Sequence, residues 1–151
     1  MFYTRIEIPS DISNLIEIEE YIDSLMSECE LPEQYRGIVS TPLMEAAKNA
    51  IVHGNGSDRQ KKVRIVCQQE RKKLTFSVAD EGDGFPFSDY EESGKQLKTH
   101  GLSAIFSLCD KVCFQQNGSV IVFSIPVPKQ QTLPKHNISL QTIASPVLQN
   151  L

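Results

Sequence analysis

Hydrophobic periodicity changes along this chain in a set order, and that order limits the folds open to it. Phe2 to Ile8 alternates, with Phe2, Thr4, Ile6 and Ile8 on one side, as a half-buried strand does. Pro9-Ser10-Asp11 supplies a breaker and a cap. Ile12, Leu15, Ile16, Ile22, Leu25, Met26 and Cys29 recur at helical spacing, which predicts a first helix over about 11–29. Pro32 opens a second helical stretch containing Tyr35, Ile38 and Val39. Proline inside a helix removes a hydrogen bond, so Pro42 predicts a restart at Thr41, with the helix running to His53 and stopping at Gly54. Alternation returns over 62–68 and 73–79, with Val63, Ile65, Cys67, Leu74, Phe76 and Val78 inward. Leu102, Ile105, Phe106 and Cys109 mark a short helix, and Lys111–Gln116 and Ser119–Ile125 read as a hairpin across Asn117-Gly118. The order β-α-α-β-β-α-β-β suits an α/β two-layer sandwich, a mixed β-sheet with helices on one face.

Length and charge narrow the class. The 151 residues are one domain's worth, at 40% hydrophobic and 23% charged. Residues 1–125 hold all 19 acidic side chains against 13 of the 15 basic ones, a net of −6. Residues 126–151 hold no acid and four prolines, which predicts a folded body over 1–125 and a mostly irregular C-terminal extension. An acidic body argues against direct nucleic-acid binding, and no apolar run has the length of a membrane span. The first residues lack the pattern of a secretory leader, so a cytoplasmic location is expected, with Cys29, Cys67, Cys109 and Cys113 as reduced, buried thiols.

Three segments carry candidate chemistry. In Glu45-Ala-Ala-Lys-Asn49-Ala-Ile-Val-His53-Gly-Asn, the carboxylate, amide and imidazole stack on one helix side, while Leu43, Ala46, Ala47, Ala50 and Ile51 lie on another. Taken alone such a face reads as solvated surface; against that, asparagine is a poor mid-helix choice. Val78-Ala79-Asp80-Glu81-Gly82-Asp83-Gly84-Phe85 is a strand running into an Asp-x-Gly-x-Gly-Phe turn. Its aspartate can accept from an exocyclic amine, and its glycines allow close backbone approach. His100-Gly101-Leu102 opens a short helix after a long polar stretch, where backbone N–H groups can meet an anion. The dinucleotide-binding, EF-hand and Walker patterns all fail on the residues around Asp80, and no set of cysteines and histidines completes a zinc site.

Together and in this order, the three segments resemble the N, G1 and G2 boxes of the GHKL ATPases, the Bergerat-fold superfamily, over roughly residues 1–125. Chain size, the N-terminal strand and the Glu45-to-Asn55 run most resemble the bacterial anti-sigma serine/threonine kinases. The resemblance implies ATP and Mg²⁺ as cofactors, with Asn49 as the metal ligand and Glu45 as the general base. It implies that Asp80 accepts from the adenine amino group and that Gly82, Gly84 and Phe85 flank the nucleotide. His100, Gly101 and Leu102 would meet phosphate at the end of a lid over 86–100. His53 would line the phosphate side or serve as a helix-end histidine satisfied by carbonyls. One position departs from the pattern, because Thr99 stands where the family usually has the first glycine of Gly-x-Gly-Leu.

By the same resemblance the chain is an anti-sigma factor kinase. Its partners would be a sigma factor and a small antagonist protein phosphorylated on Ser or Thr, and it would form a homodimer through its sheet side. Thr99 favours an alternative, a non-catalytic ATP-sensing module of the same fold. A stand-alone histidine-kinase-type ATPase domain is the third reading.

Overall fold

Alternation builds the sheet. The structure is a computed structural model that describes residues 2–84 and 102–128. In it β1 (Phe2–Pro9), β2 (Lys62–Glu70), β3 (Lys73–Ala79), β4 (Lys111–Gln115) and β5 (Val120–Pro126) form one sheet in the order β1-β2-β3-β5-β4. Val63, Ile65, Cys67, Leu74, Phe76 and Val78 are all buried, as their alternation predicts. Phe76 pairs with Phe123 across β3 and β5, and their rings stack with centroids 5.4 Å apart. The intervening positions Arg5, Glu7 and Arg64 lie exposed on the opposite face.

The helices cover the inward face. Asp11 caps a short 3-10 turn (Ile12–Asn14), its Oδ1 accepting from Ser13 N–H at 3.0 Å. Helix α1 (Leu15–Glu28) follows and buries Ile18, Tyr21, Ile22, Leu25 and Met26. Arg36 bridges Asp23 of α1 and Glu33, and so ties α1 to the start of α2 (Arg36–Asn49). Helix α3 (Leu102–Leu108) adds Leu102 and Ile105 to the same core. The two-layer α/β sandwich is thus the observed architecture. Among the described residues no helix is long and apolar enough to cross a membrane.

Four details differ from the sequence expectation, each for a local reason. Helix α2 does not restart at Thr41 but runs through Pro42. The lost Ile38 carbonyl bond costs about 3 kcal/mol. Val39, Leu43, Ala47 and Ile51 are fully buried on one helical stripe, and burial of each large side chain returns about 1.5–3 kcal/mol. Every strand pairing is antiparallel rather than mixed. β3 and β4 do run in the same direction across the α3 crossover, but β5 folds back between them, so the parallel pair never touches. The hairpin turn spans four residues, Gln116–Ser119, because Gln115 pairs with Val120 and both Gln116 and Asn117 adopt positive φ (49° and 58°). Finally, none of the four cysteines is in a disulfide, but Cys113 is exposed on edge strand β4 and Cys109 only half-buried. Burial pushes the Cys29 and Cys109 thiols up to about 11. Val127 continues the sheet by donating to the Lys72 carbonyl at 2.9 Å, and the remainder of the proposed extension, from 129, lies outside the described residues.

Candidate functional site

At the C-terminal end of β3 the ladder carries one residue past its last register pair. Asp80 N–H donates to the Ser119 carbonyl at 2.9 Å. Its carboxylate Oδ1 then accepts from Gly82 N–H at 2.8 Å, closing a short turn. Burial pushes the Asp80 carboxyl above its ordinary range, opposed by the Gly82 N–H and by the charge of Lys61.

Helix α2 reaches this turn through a widened end. Ala50–Gly54 form a π-helical turn closed by Asn55 N–H on the Ala50 carbonyl at 2.8 Å. Such turns displace a helix terminus sideways and concentrate at functional sites. Here the displacement presses Gly54 against Asp80. A Cβ on Gly54 would stand 2.2 Å from Asp80 Oδ2, and one on Gly82 would stand 2.1 Å from the Gly54 carbonyl oxygen. Gly84, at φ +84°, lies so close to the β4–β5 turn that a Cβ would meet the Asn117 carbonyl oxygen at 1.9 Å. The close approach expected of Gly82 and Gly84 is therefore made, within the chain itself, to Gly54 and to Asn117.

Between α2 and the sheet lies a cleft of about 650 Å³, counting space open to solvent. It brings together Asn49, His53, Asp80, Gly84 and Leu102, five residues singled out from sequence. Asn49 has its side-chain nitrogen buried with no hydrogen-bond partner among the described residues. Amide oxygen and nitrogen are assigned by their surroundings, so the finding is one unsatisfied polar end on a side chain that lines the cleft. An asparagine side chain can offer its oxygen to a hard cation or its N–H to a phosphate oxygen. Glu45 is half-buried one turn earlier on α2 and does not line the cleft. Phe85, His100, Gly101 and Thr99 lie outside the described residues.

The cleft also uses residues that sequence reasoning passed over. Ala46 and Ala50 are small enough to open the α2 side, while Val78, Ile121 and Phe114 supply apolar wall. Val78 and Ile121 alternate inward like any core residue, so nothing in their spacing marks them. Ser119 carried a signal in hindsight, as a small hydroxyl residue after Asn117-Gly118 and opposite the Asp80 strand. No curated protein matches the chain. A family model described as a histidine kinase-like ATPase domain matches residues 8–125.

Proposed function

The chain belongs to the histidine kinase-like ATPase family, and from that premise we propose that its cleft binds Mg-ATP and that the chain transfers the γ-phosphoryl group to a serine or threonine of a small antagonist protein. The observation that carries this reading is the orphaned Asn49 amide facing the same cleft as the Asp80 carboxylate. Asp80 keeps free lone pairs beyond its bond to Gly82 and accepts from the exocyclic amine of adenine, which guanine lacks at that ring position. Val78, Ile121 and Leu102 cover the faces of the base, and Ala46 and Ala50 leave room for it beside α2. At the phosphate end the Asn49 amide oxygen would hold Mg²⁺, His53 lines the same cleft, and His100, Gly101 and Leu102 would meet the phosphates. Mg²⁺, when bound, offsets the charge on the phosphate oxygens.

Glu45 takes the proton of the attacking hydroxyl while its oxygen bonds to the γ-phosphorus and ADP departs. It stands one helical turn before Asn49, outside the lining of the cleft. The same position, with Thr99 in place of a lid glycine, supports the second reading, a module that senses ATP and holds or releases a sigma factor without transfer. In either reading the copies pair through the open sheet face.

Incubation with labelled Mg-ATP and candidate antagonist proteins separates these. Acid-stable phosphoserine or phosphothreonine, lowered about 10²–10⁴-fold in Glu45→Ala with ATP affinity retained, is the expected outcome. ATP binding with no transfer selects the sensing module, and an acid-labile product selects the histidine-kinase type. No ATP binding at all overturns the site itself.

A further inference from the structure

Asn55, directly after the π-helical turn, sits where three segments distant in sequence meet. It is only 3% exposed, and every polar atom of its side chain is engaged. Oδ1 accepts from Glu81 N–H at 2.7 Å, while Nδ2 donates to Ser10 Oγ at 2.7 Å and to the Lys62 carbonyl at 3.0 Å. Ser10 Oγ passes the chain on to the Lys61 carbonyl at 2.9 Å. The amide orientation is fixed by these partners, since only its oxygen can face the Glu81 donor and only its nitrogen the Lys62 acceptor.

The consequence concerns Asp80. The peptide before it is held by Ser119, through Asp80 N–H on the Ser119 carbonyl. The peptide after it is held by Asn55, through Glu81 N–H. The Cα between these two fixed peptides carries the carboxylate that faces the cleft. We propose that Asn55 is a positioning residue for Asp80, setting the direction of its carboxylate and with it the selectivity of the cleft for a base bearing an exocyclic amine. The inference rests on reading the cleft as an adenine-nucleotide site.

Its probe is the preference for ATP over inosine triphosphate, which lacks that amine. In Asn55→Ala the preference falls about tenfold, the worth of one well-aligned hydrogen bond lost to misalignment. In an Asp80→Asn background the same change moves ATP affinity by less than about twofold, although the melting temperature still drops, because the two residues act through one contact. Ser10→Ala, which removes a partner of Nδ2 without touching Glu81, lowers the melting temperature and leaves the preference unchanged. Asn55→Ser is too short to reach Glu81 yet leaves room for water, and it carries the same test if the alanine variant does not fold. A folded Asn55 variant with wild-type preference overturns the positioning role alone. Wild-type protein that binds ATP no better than inosine triphosphate overturns the adenine reading on which it rests.

Discussion

Desolvation raises the Asp80 carboxyl, while the Gly82 amide and Lys61 pull it down, and the balance remains upward. A raised carboxyl in the folded state binds protons more readily than the same group unfolded. Stability contributed by the protonated form is therefore present at low pH and is lost as pH rises through the folded value, so at neutral pH the ionised group costs stability. An asparagine in its place keeps an acceptor for Gly82 and carries no charge to desolvate. Asp80→Asn is expected to melt higher than wild type at pH 7, by at most about 2–4 °C because water still screens the half-exposed group. The gap closes as pH falls toward 4. ATP affinity falls in the same variant, so thermal melts and calorimetry on one preparation check both directions. At this scale the chemistry-bearing residues were legible in the sequence, since Asn49 is out of place in a helix interior and Asp80 ends a strand beside glycines. Asn55 was visible as a letter of the same run, but its role was not, because Ser10, Lys62 and Glu81 meet it only in three dimensions.

Strands β3 and β5 carry the two halves of one wall, Asp80 from the first and Ser119 from the second, so their mutual register sets the cleft. Ala79 opposite Val120 is the last pair before Asp80 N–H reaches Ser119. Deeper in the sheet the stacked Phe76 and Phe123 rings, both buried, lock that register. Truncating either ring to alanine is expected to cost about 3–5 kcal/mol. A double-mutant cycle with leucine at both positions should return a coupling of about 0.5–1.5 kcal/mol, measured by denaturant unfolding. No coupling would mean that the strands are aligned by backbone alone. Periodicity exposes the five strands and three principal helices among the described residues within a few positions, because alternation and the helical stripe are local properties. Pro42 reads locally as a break, because the burial that offsets its missing hydrogen bond comes from residues spread along the whole helix. The placement of β5 was illegible for a different reason, since nothing local to Val120–Pro126 says which strand it will join.

Across the whole molecule, charge and ligand are at odds. Residues 1–125 are net negative, and among the described residues lining the cleft none is Lys or Arg. Asp80 is the charged residue described in that lining, and Glu81 and Asp83 follow it in sequence. With no described lysine or arginine in the lining, a cation and backbone N–H groups suit the phosphates of a polyanion there. Chelation of divalent ions is therefore expected to weaken ATP binding at least about tenfold while leaving adenosine binding unchanged, by calorimetry with and without chelator. Equal ATP affinity in both would place the phosphates on the protein alone. The insertion of β5 between β3 and β4 has a consequence for synthesis as well. Translation delivers β1, α1, α2, β2 and β3 first, and each of these can pack as it emerges. Until β5 arrives, the strand that ends as the middle of the sheet is an unpaired edge, the kind of template on which chains join one another. The newborn protein thus exposes an edge for self-association at the strand that runs into Asp80.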